Sequence, residues 1–140
     1  MKFEPFNIDR YDEVYALWDR CSGVGLSSAD ERDQIAAYLA RNPGMSFIAL
    51  DGSVVIGIVL GGHDGRRGYL HHLAVDDDYR RQGIGRQLVE NCLSALAAEG
   101  IQKCHLFIFH ENVGGIAFWQ AQGWTLRQDI RVMSKHLSEG

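Results

Sequence analysis

"YRRQGIGRQL", Tyr79 to Leu88, is the stretch on which the reading of this chain turns. Three arginines surround two glycines spaced one residue apart, and an apolar periodic segment follows. Ahead of it, "YLHHLAV" (Tyr69 to Val75) reads as a strand, so the order is strand, loop, helix. The helix rests on Ile84, Leu88, Cys92 and Leu96, which repeat every four residues. Val89 and Leu93 widen the stripe, and Gly100 stops it after Glu99. The first-turn amides of a helix have no partner within the helix and point beyond its N-terminus. Gly83 and Gly85 lack the side chains that would block an anion, which leaves a cradle of N–H donors. Arg80, Arg81 and Arg86 add local positive charge, so the fitting ligand is a polyphosphate. Taken alone, the two glycines are equally consistent with a plain helix cap bearing solvated arginines. A dinucleotide fingerprint fits poorly, because Leu88 occupies its third glycine position, and a Walker loop fails for want of Gly-Lys-Ser/Thr.

Working outward, "KFEPF" (Lys2 to Phe6) is a short strand that Pro5 confines to an edge. Asp9 can cap a helix to about Arg20 whose apolar stripe is Val14, Leu17 and Trp18. "CSGVGLSS" breaks it. Ser28 and Glu31 have capping-box spacing and open a second helix through Ile35, Tyr38 and Leu39, ended by "NPG" at Asn42 to Gly44. "SFIAL" and "SVVIGIVLGG" flank Asp51-Gly52, a dipeptide suited to a two-residue hairpin turn with positive φ at both positions. The bend "GGHDGRRG" (Gly61 to Gly68) leads into "YLHHLAV". Beyond the long helix, "KCHLFIF" (Lys103 to Phe109) is a strand, and Asn112 can cap a short helix through Ala121. "GWTLR" and "IRVMSKHL" read as two closing strands. The expected architecture is one α+β domain over residues 1–140, built on a mostly antiparallel sheet.

Composition narrows the function classes. At 46% hydrophobic and 23% charged residues in 140, the chain can bury a core and is not of disordered type. The longest apolar run, "FIALDGSVVIGIVL", is interrupted by Asp51-Gly52, so no membrane span fits. "MKFEPFNIDR" lacks an apolar signal core, and a cytoplasmic protein is expected. A net charge of −4 argues against generic nucleic-acid binding. Cys21, Cys92 and Cys104 are odd in number and widely spaced, so free thiols are expected. The six histidines form no H-x-x-x-H pair and the cysteines add no ligand spacing, so no metal site is expected. Asp76, Asp77 and Asp78 would repel a phosphate ligand unless turned outward, which favours a solvated turn.

Read as a whole, R-x-x-G-x-G at Arg80 to Gly85, after "LAV" and before an amphipathic helix, resembles the acetyl-CoA pyrophosphate loop of the GNAT superfamily of N-acetyltransferases. A second hallmark follows in the right order: "ENVGGIAFWQAQGW", Glu111 to Trp124, is similar to the family's N-x-x-A-x-x-F-Y-x-x-x-G-F segment. The resemblance spans essentially the full chain. "LGGHDGRRG" further resembles small bacterial members related to ribosomal-protein alanine acetyltransferases. The family fold is a mixed, twisted sheet with a splayed central strand pair, here "YLHHLAV" and "KCHLFIF". The resemblance implies that backbone amides from Gln82 through Gln87 (Gln82, Gly83, Ile84, Gly85, Arg86, Gln87) hold the pyrophosphate, with Arg80 and Arg81 beside them. It also implies that Leu73, Ala74 and Val75 lie along the pantetheine arm, that Asn112 hydrogen-bonds it, and that Phe118 and Trp119 border the cofactor.

The implied reaction moves an acetyl group from acetyl-CoA to a primary amine, of a small molecule or a protein N-terminus. The amine enters opposite the cofactor, lined by the two N-terminal helices and their loop. Family members often dimerise. The resemblance places the general base in "YLHHLAV" at His71, four residues before the valine, with Tyr69 beside it by strand parity and His72 facing the other way. A buried, hydrogen-bonded His71 without a catalytic task fits the same pattern. Strand parity holds only while the strand is regular, and the family commonly carries a β-bulge here. One departure concerns Trp119, which stands where the family often has the tyrosine assigned to protonating the departing thiolate. An indole N–H can donate a hydrogen bond but cannot act as that acid. The departure leaves open a non-catalytic acyl-CoA-binding module, and the same cradle could take another phosphate ligand in a nucleotide-binding regulatory domain.

Overall fold

The computed structural model describes residues 1–138, and the chain divides into two compact units, Met1–Phe107 and Ile108–Gly140. The first unit is organised on a five-stranded sheet. Its strands are β1 (Lys2–Pro5), β2 (Phe47–Asp51), β3 (Val54–His63), β4 (Gly68–Val75) and β5 (Cys104–Leu106), and they lie side by side in that order. Every neighbouring pair is antiparallel except β4 and β5, which run parallel. A parallel pair needs a long crossover, and α3 (Ile84–Ala98) provides it. The mixed, mostly antiparallel α+β fold expected from the sequence is what the chain adopts.

The two faces of the sheet are covered by different helices. On one side α1 (Tyr11–Arg20) and α2 (Arg32–Arg41) bury Val14, Leu17, Trp18 and Ile35 against Ile48, Leu50, Ile58 and Leu60. On the other, α3 buries Ile84, Leu88, Val89, Cys92 and Leu96. Glycines let it come close: a Cβ on Gly57 would stand 3.0 Å from Leu88 Cδ1, and one on Gly61 would stand 3.1 Å from Cys92 Sγ. The apolar repeat that marked α3 in the sequence is therefore its sheet-facing side. Its end is also as read, since Gly100 takes φ +83 and the Ile101 amide reaches back to the Leu96 carbonyl at 3.1 Å.

Local entries differ from the sequence expectation. Asn7, not Asp9, is the first cap: its side chain accepts from the Asp9 amide at 2.9 Å, opening a 3₁₀ turn ahead of α1. The capping box is Ser27 with Asp30, one residue before the Ser28/Glu31 pair, and it opens a 3₁₀ turn at Ser28–Asp30 ahead of α2. Aspartate's shorter arm closes the box in this tight turn, where Glu31 is already the extended residue at the entrance of α2. In the β2–β3 hairpin Asp51 pairs with Val54, so the turn residues are Gly52 and Ser53, and only Gly52 has positive φ (+61). That matches a type II′ turn, which needs glycine at its first central position.

The second unit contains α4 (Val113–Ala121), capped by Asn112, whose side-chain oxygen accepts from the Gly115 amide at 2.9 Å. The two closing strands expected at "GWTLR" and "IRVMSKHL" are not formed: residues 124–138 carry no strand. The reason is visible in the pattern, since Ile130 and Val132 share one parity but Met133 and Leu137 fall on the other. All four side chains are exposed. The strand expected over Lys103 to Phe109 is likewise reduced to Cys104–Leu106, because its ladder with β4 ends at Leu70↔Leu106. Cys21, Cys92 and Cys104 are free thiols, as expected. No helix is long and apolar enough to cross a membrane among the described residues.

Leu88 is fully buried between α3 and the sheet. Truncation to alanine removes its contacts and leaves a cavity, so Leu88→Ala should cost ~2–5 kcal/mol. A denaturant titration checks this, and an unchanged midpoint would mean that α3 packs through another face.

Candidate active site

β4 leads directly into the arginine-glycine loop. Asp76 starts the turn: its carboxylate accepts from the Asp78 amide at 3.0 Å and pairs with Arg20 at 2.9 Å, which holds its carboxyl below the usual range. Tyr79 then fixes the loop to the hairpin by donating to Asp51 at 2.5 Å. Asp77 is solvated and pairs with Arg80 at 3.0 Å, so the acidic run is turned outward from the helix entrance. Arg86 pairs with Glu90 at 3.5 Å, whereas Arg81 makes no ion pair among the described residues.

Backbone conformation opens the cradle. Arg81 has φ +63 and Gly83 has φ +78, so the chain winds through two left-handed positions before α3 begins. Consecutive amides in such alternation form concave anion sites. The N–H groups of Gln82, Gly83, Ile84, Gly85 and Arg86 have no acceptor among the described residues. Gln87 differs, since its amide donates to the Gly83 carbonyl at 3.0 Å and is already part of the helix. A Cβ added at Gly83 would meet no protein atom within 4 Å.

Next to the loop, β4 is irregular. Ile58 pairs with Ala74 and Leu60 with His71, so His72 and Leu73 of β4 stand opposite Val59 alone of β3. The extra residue is accommodated at His72, with φ +54. This bulge corrects the parity expectation that His72 faces away from His71. The His72 ring turns to the α1/α2 side, where its Nε2 lies 2.9 Å from Asp30 Oδ1. His71 and Tyr69 do share a face: their rings stack at 6.5 Å with an interplanar angle of 5°. Leu73 and Val75 are half-buried and Ala74 is buried among the residues under α1, all beyond the point where pairing with β5 stops.

His71 lines a cleft of about 190 Å³ with Tyr38, Arg41, Asn42, Gly62, His63, Asp64 and Tyr69. Burial is the main influence on its ring, lowering the imidazole pKa. A protonated His72 would act in the same direction, and Asp30 opposes burial. Tyr38 crosses over from α2 and packs edge-on to His71 at 6.2 Å. Its hydroxyl is buried without a hydrogen-bond partner among the described residues, and burial pushes that phenol up. Asp64 is exposed, and the amides of Arg66 and Arg67 bond its carboxylate and hold it low.

Several of these residues were not identified from the sequence. Tyr38 was assigned to an apolar stripe, and Asp30 lay inside a capping pattern read one residue late. Trp18 was read as core; it is buried, but its Nε1–H also donates to the His72 carbonyl at 2.9 Å. Within the second unit, Asn112 spends its side-chain oxygen on the cap of α4. Trp119 packs between Phe118 (5.3 Å) and Trp124 (5.1 Å), both edge-on. Among the described residues no group of three or more His, Cys, Asp or Glu is arranged to hold a metal ion.

Comparison with known proteins agrees with this geometry. Residues 11–124 match the acetyltransferase (GNAT) family. An acetyltransferase of Sodalis glossinidius is 30% identical over 139 residues, covering 99% of this chain and 97% of the relative. Among solved structures, an aminoglycoside 6'-N-acetyltransferase from Acinetobacter haemolyticus superposes with a TM-score of 0.80 at 16% identity, over 99% and 100% of the two chains. The PaiA N-acetyltransferase from Thermoplasma acidophilum, in complex with coenzyme A, gives 0.78 at 14% identity over 90% of each. The strand, bulge, loop and helix described above thus belong to a member of the GNAT acetyltransferase family.

Proposed function

We propose that this chain is an acetyl-CoA-dependent N-acetyltransferase that acts as a single domain, acetylating a primary amine with His71 as general base. The observation that carries the reading is the set of backbone donors at the head of α3. Gln82 to Arg86 present amides without acceptors among the described residues, around a glycine whose side-chain direction is open. Such a cradle suits a pyrophosphate, and Arg80 and Arg81 supply charge at its edge. The family match supports acetyl-CoA as the donor, with its pantetheine arm along Leu73, Ala74 and Val75 where β4 has left β5. Asn112, Phe118 and Trp119 are assigned to the same cofactor by their positions in the second motif.

The acceptor enters the cleft beside α2, where Tyr38, Tyr69 and His71 form an aromatic wall. An amine is mostly protonated at neutral pH and must lose a proton to attack the thioester carbonyl. His71 is suited to receive it, being half-buried with no hydrogen bond to its ring among the described residues. Tyr69, stacked against it, holds the water through which the proton passes. Trp119 cannot return a proton to the departing thiolate, which takes one from water instead. A thiol-release assay over a panel of primary amines tests the reaction. Release with at least one amine is expected, and binding of acetyl-CoA without release for any amine would mark the chain as a binding module.

Two expectations follow for variants. If the backbone holds the pyrophosphate, Gly83→Val should abolish CoA binding, since valine resists φ +78 and fills the open side. Arg81→Ala should weaken it modestly and in a salt-dependent way. Isothermal titration with CoA ranks the two, and equal losses would contradict an amide-lined cradle.

His71→Ala should lower kcat/KM by roughly 10²–10⁴ while acetyl-CoA affinity is kept. The pH dependence has a definite sign. Only the neutral ring accepts a proton, and burial lowers its pKa, so wild-type kcat/KM should fall on acidification only below the usual imidazole value of about 6.5. That limb should vanish in His71→Ala. Full activity in the variant would remove His71 from the base role.

A further inference from the structure

The base of the reading above has a neighbour that the reaction as described does not use. Asp30 is 4% exposed, and its carboxylate is held from two sides. Oδ2 accepts the Ser27 amide at 3.0 Å, and Oδ1 lies 2.9 Å from His72 Nε2. An ionised carboxylate only accepts, so His72 carries its hydrogen on Nε2 and keeps the lone pair on Nδ1. The rest of the environment fixes both partners. The Tyr11 hydroxyl donates to the Asp30 carbonyl at 2.6 Å, the Trp18 indole donates to the His72 carbonyl at 2.9 Å, and the Trp18 and His72 rings meet edge-on at 5.3 Å. A histidine at φ +54 is a conformation that persists only where the surroundings over-determine it, and such sites cluster at functional positions.

The His72 ring lies 6.4 Å from that of His71. The other groups facing His71 are Tyr38 from α2, Tyr69 from β4 and Phe107 after β5, all uncharged aromatics. Arg41, His63 and Asp64 share the cleft, but none of them is among the groups that shift the His71 ring. With His72 neutral, the charge of the pair that reaches it is the Asp30 carboxylate, which raises the His71 ring.

Resting on the assignment of His71 as base, we propose that Asp30 and His72 form a positioning pair: Asp30 fixes the Nε2–H tautomer of His72, and the pair sets the electrostatic field in which His71 receives the amine proton. The proton moves from the ammonium nitrogen to His71 and from there to solvent. Asp30 stays ionised and His72 keeps its Nε2–H throughout.

Imidazole NMR on the intact protein tests this without relying on turnover. His72 in the wild type should be the Nε2–H tautomer, and Asp30→Asn should abolish that preference. Asp30→Asn and Asp30→Ala remove the one ionised group of the pair, so in both the His71 titration should move down. The acid limb of kcat/KM should move with it while KM for acetyl-CoA stays put. A purely structural role would lower the melting temperature and leave the His71 titration where it was, which would overturn the proposal. An Nδ1–H tautomer for His72 in the wild type would overturn it as well, even if neither variant folds. If His71→Ala proves fully active while these titrations behave as described, the base assignment fails and the pair stands.

Discussion

The bulge at His72 is the constraint on which the site depends. Here two residues of β4, His72 and Leu73, stand opposite Val59 of β3, and the ladder with β5 has ended just before them at Leu70↔Leu106, so the two strands part. The bulge also places both histidines on the face covered by α1 and α2, and it directs the remaining strand toward the loop that opens α3. Bulges re-aim side chains and terminate pairing, and they recur next to active sites. This one is held by groups distant in sequence: the Trp18 indole on the His72 carbonyl and the Asp30 carboxylate on the His72 ring. The first helix and the turn before α2 therefore serve the site as well as the core.

The other half of the site follows from how α3 begins. Its sheet-facing side is clamped by Leu88 against Gly57 and by Cys92 against Gly61, so the helix axis is fixed by close packing. A helix so fixed also fixes the direction of its first amides. The left-handed positions at Arg81 and Gly83 then leave those amides without acceptors among the described residues. Acid-base pairs around the loop keep the aspartates of the preceding turn away from the cradle, with Asp76 on Arg20 and Asp77 on Arg80. The positive charge that seemed misplaced in an acidic chain is thus local to the head of one helix.

The sequence made the loop, α3, the hairpin partners and the mostly antiparallel character of the sheet legible, because each has a short-range signal. Glycine spacing, a four-residue apolar repeat and alternating β-branched residues are all local. What escaped was set by contacts between distant segments. Strand parity alone put His72 on the wrong face; the resemblance implied the bulge that moves it, while its place at a histidine depends on Trp18 and Asp30. The buried Tyr38 hydroxyl and the His71 cleft depend on α2 crossing β3 at Gly62, where a Cβ would crowd the Asn42 amide at 2.7 Å. The end of the chain shows the converse. "IRVMSKHL" has strand-forming residues, but an interrupted alternation gives no single face to bury, and no strand forms there.

Everything proposed for this chain presupposes that the cradle at the head of α3 selects acetyl-CoA over other phosphate ligands. Thermal melting against acetyl-CoA, ATP and NAD measures that selection directly. A ligand present at one hundred times its Kd stabilises the folded state by about 2.7 kcal/mol, an effect readily seen in a melt. Acetyl-CoA should raise the melting temperature and the two nucleotides should not. A shift with ATP or NAD and none with acetyl-CoA would contradict the account.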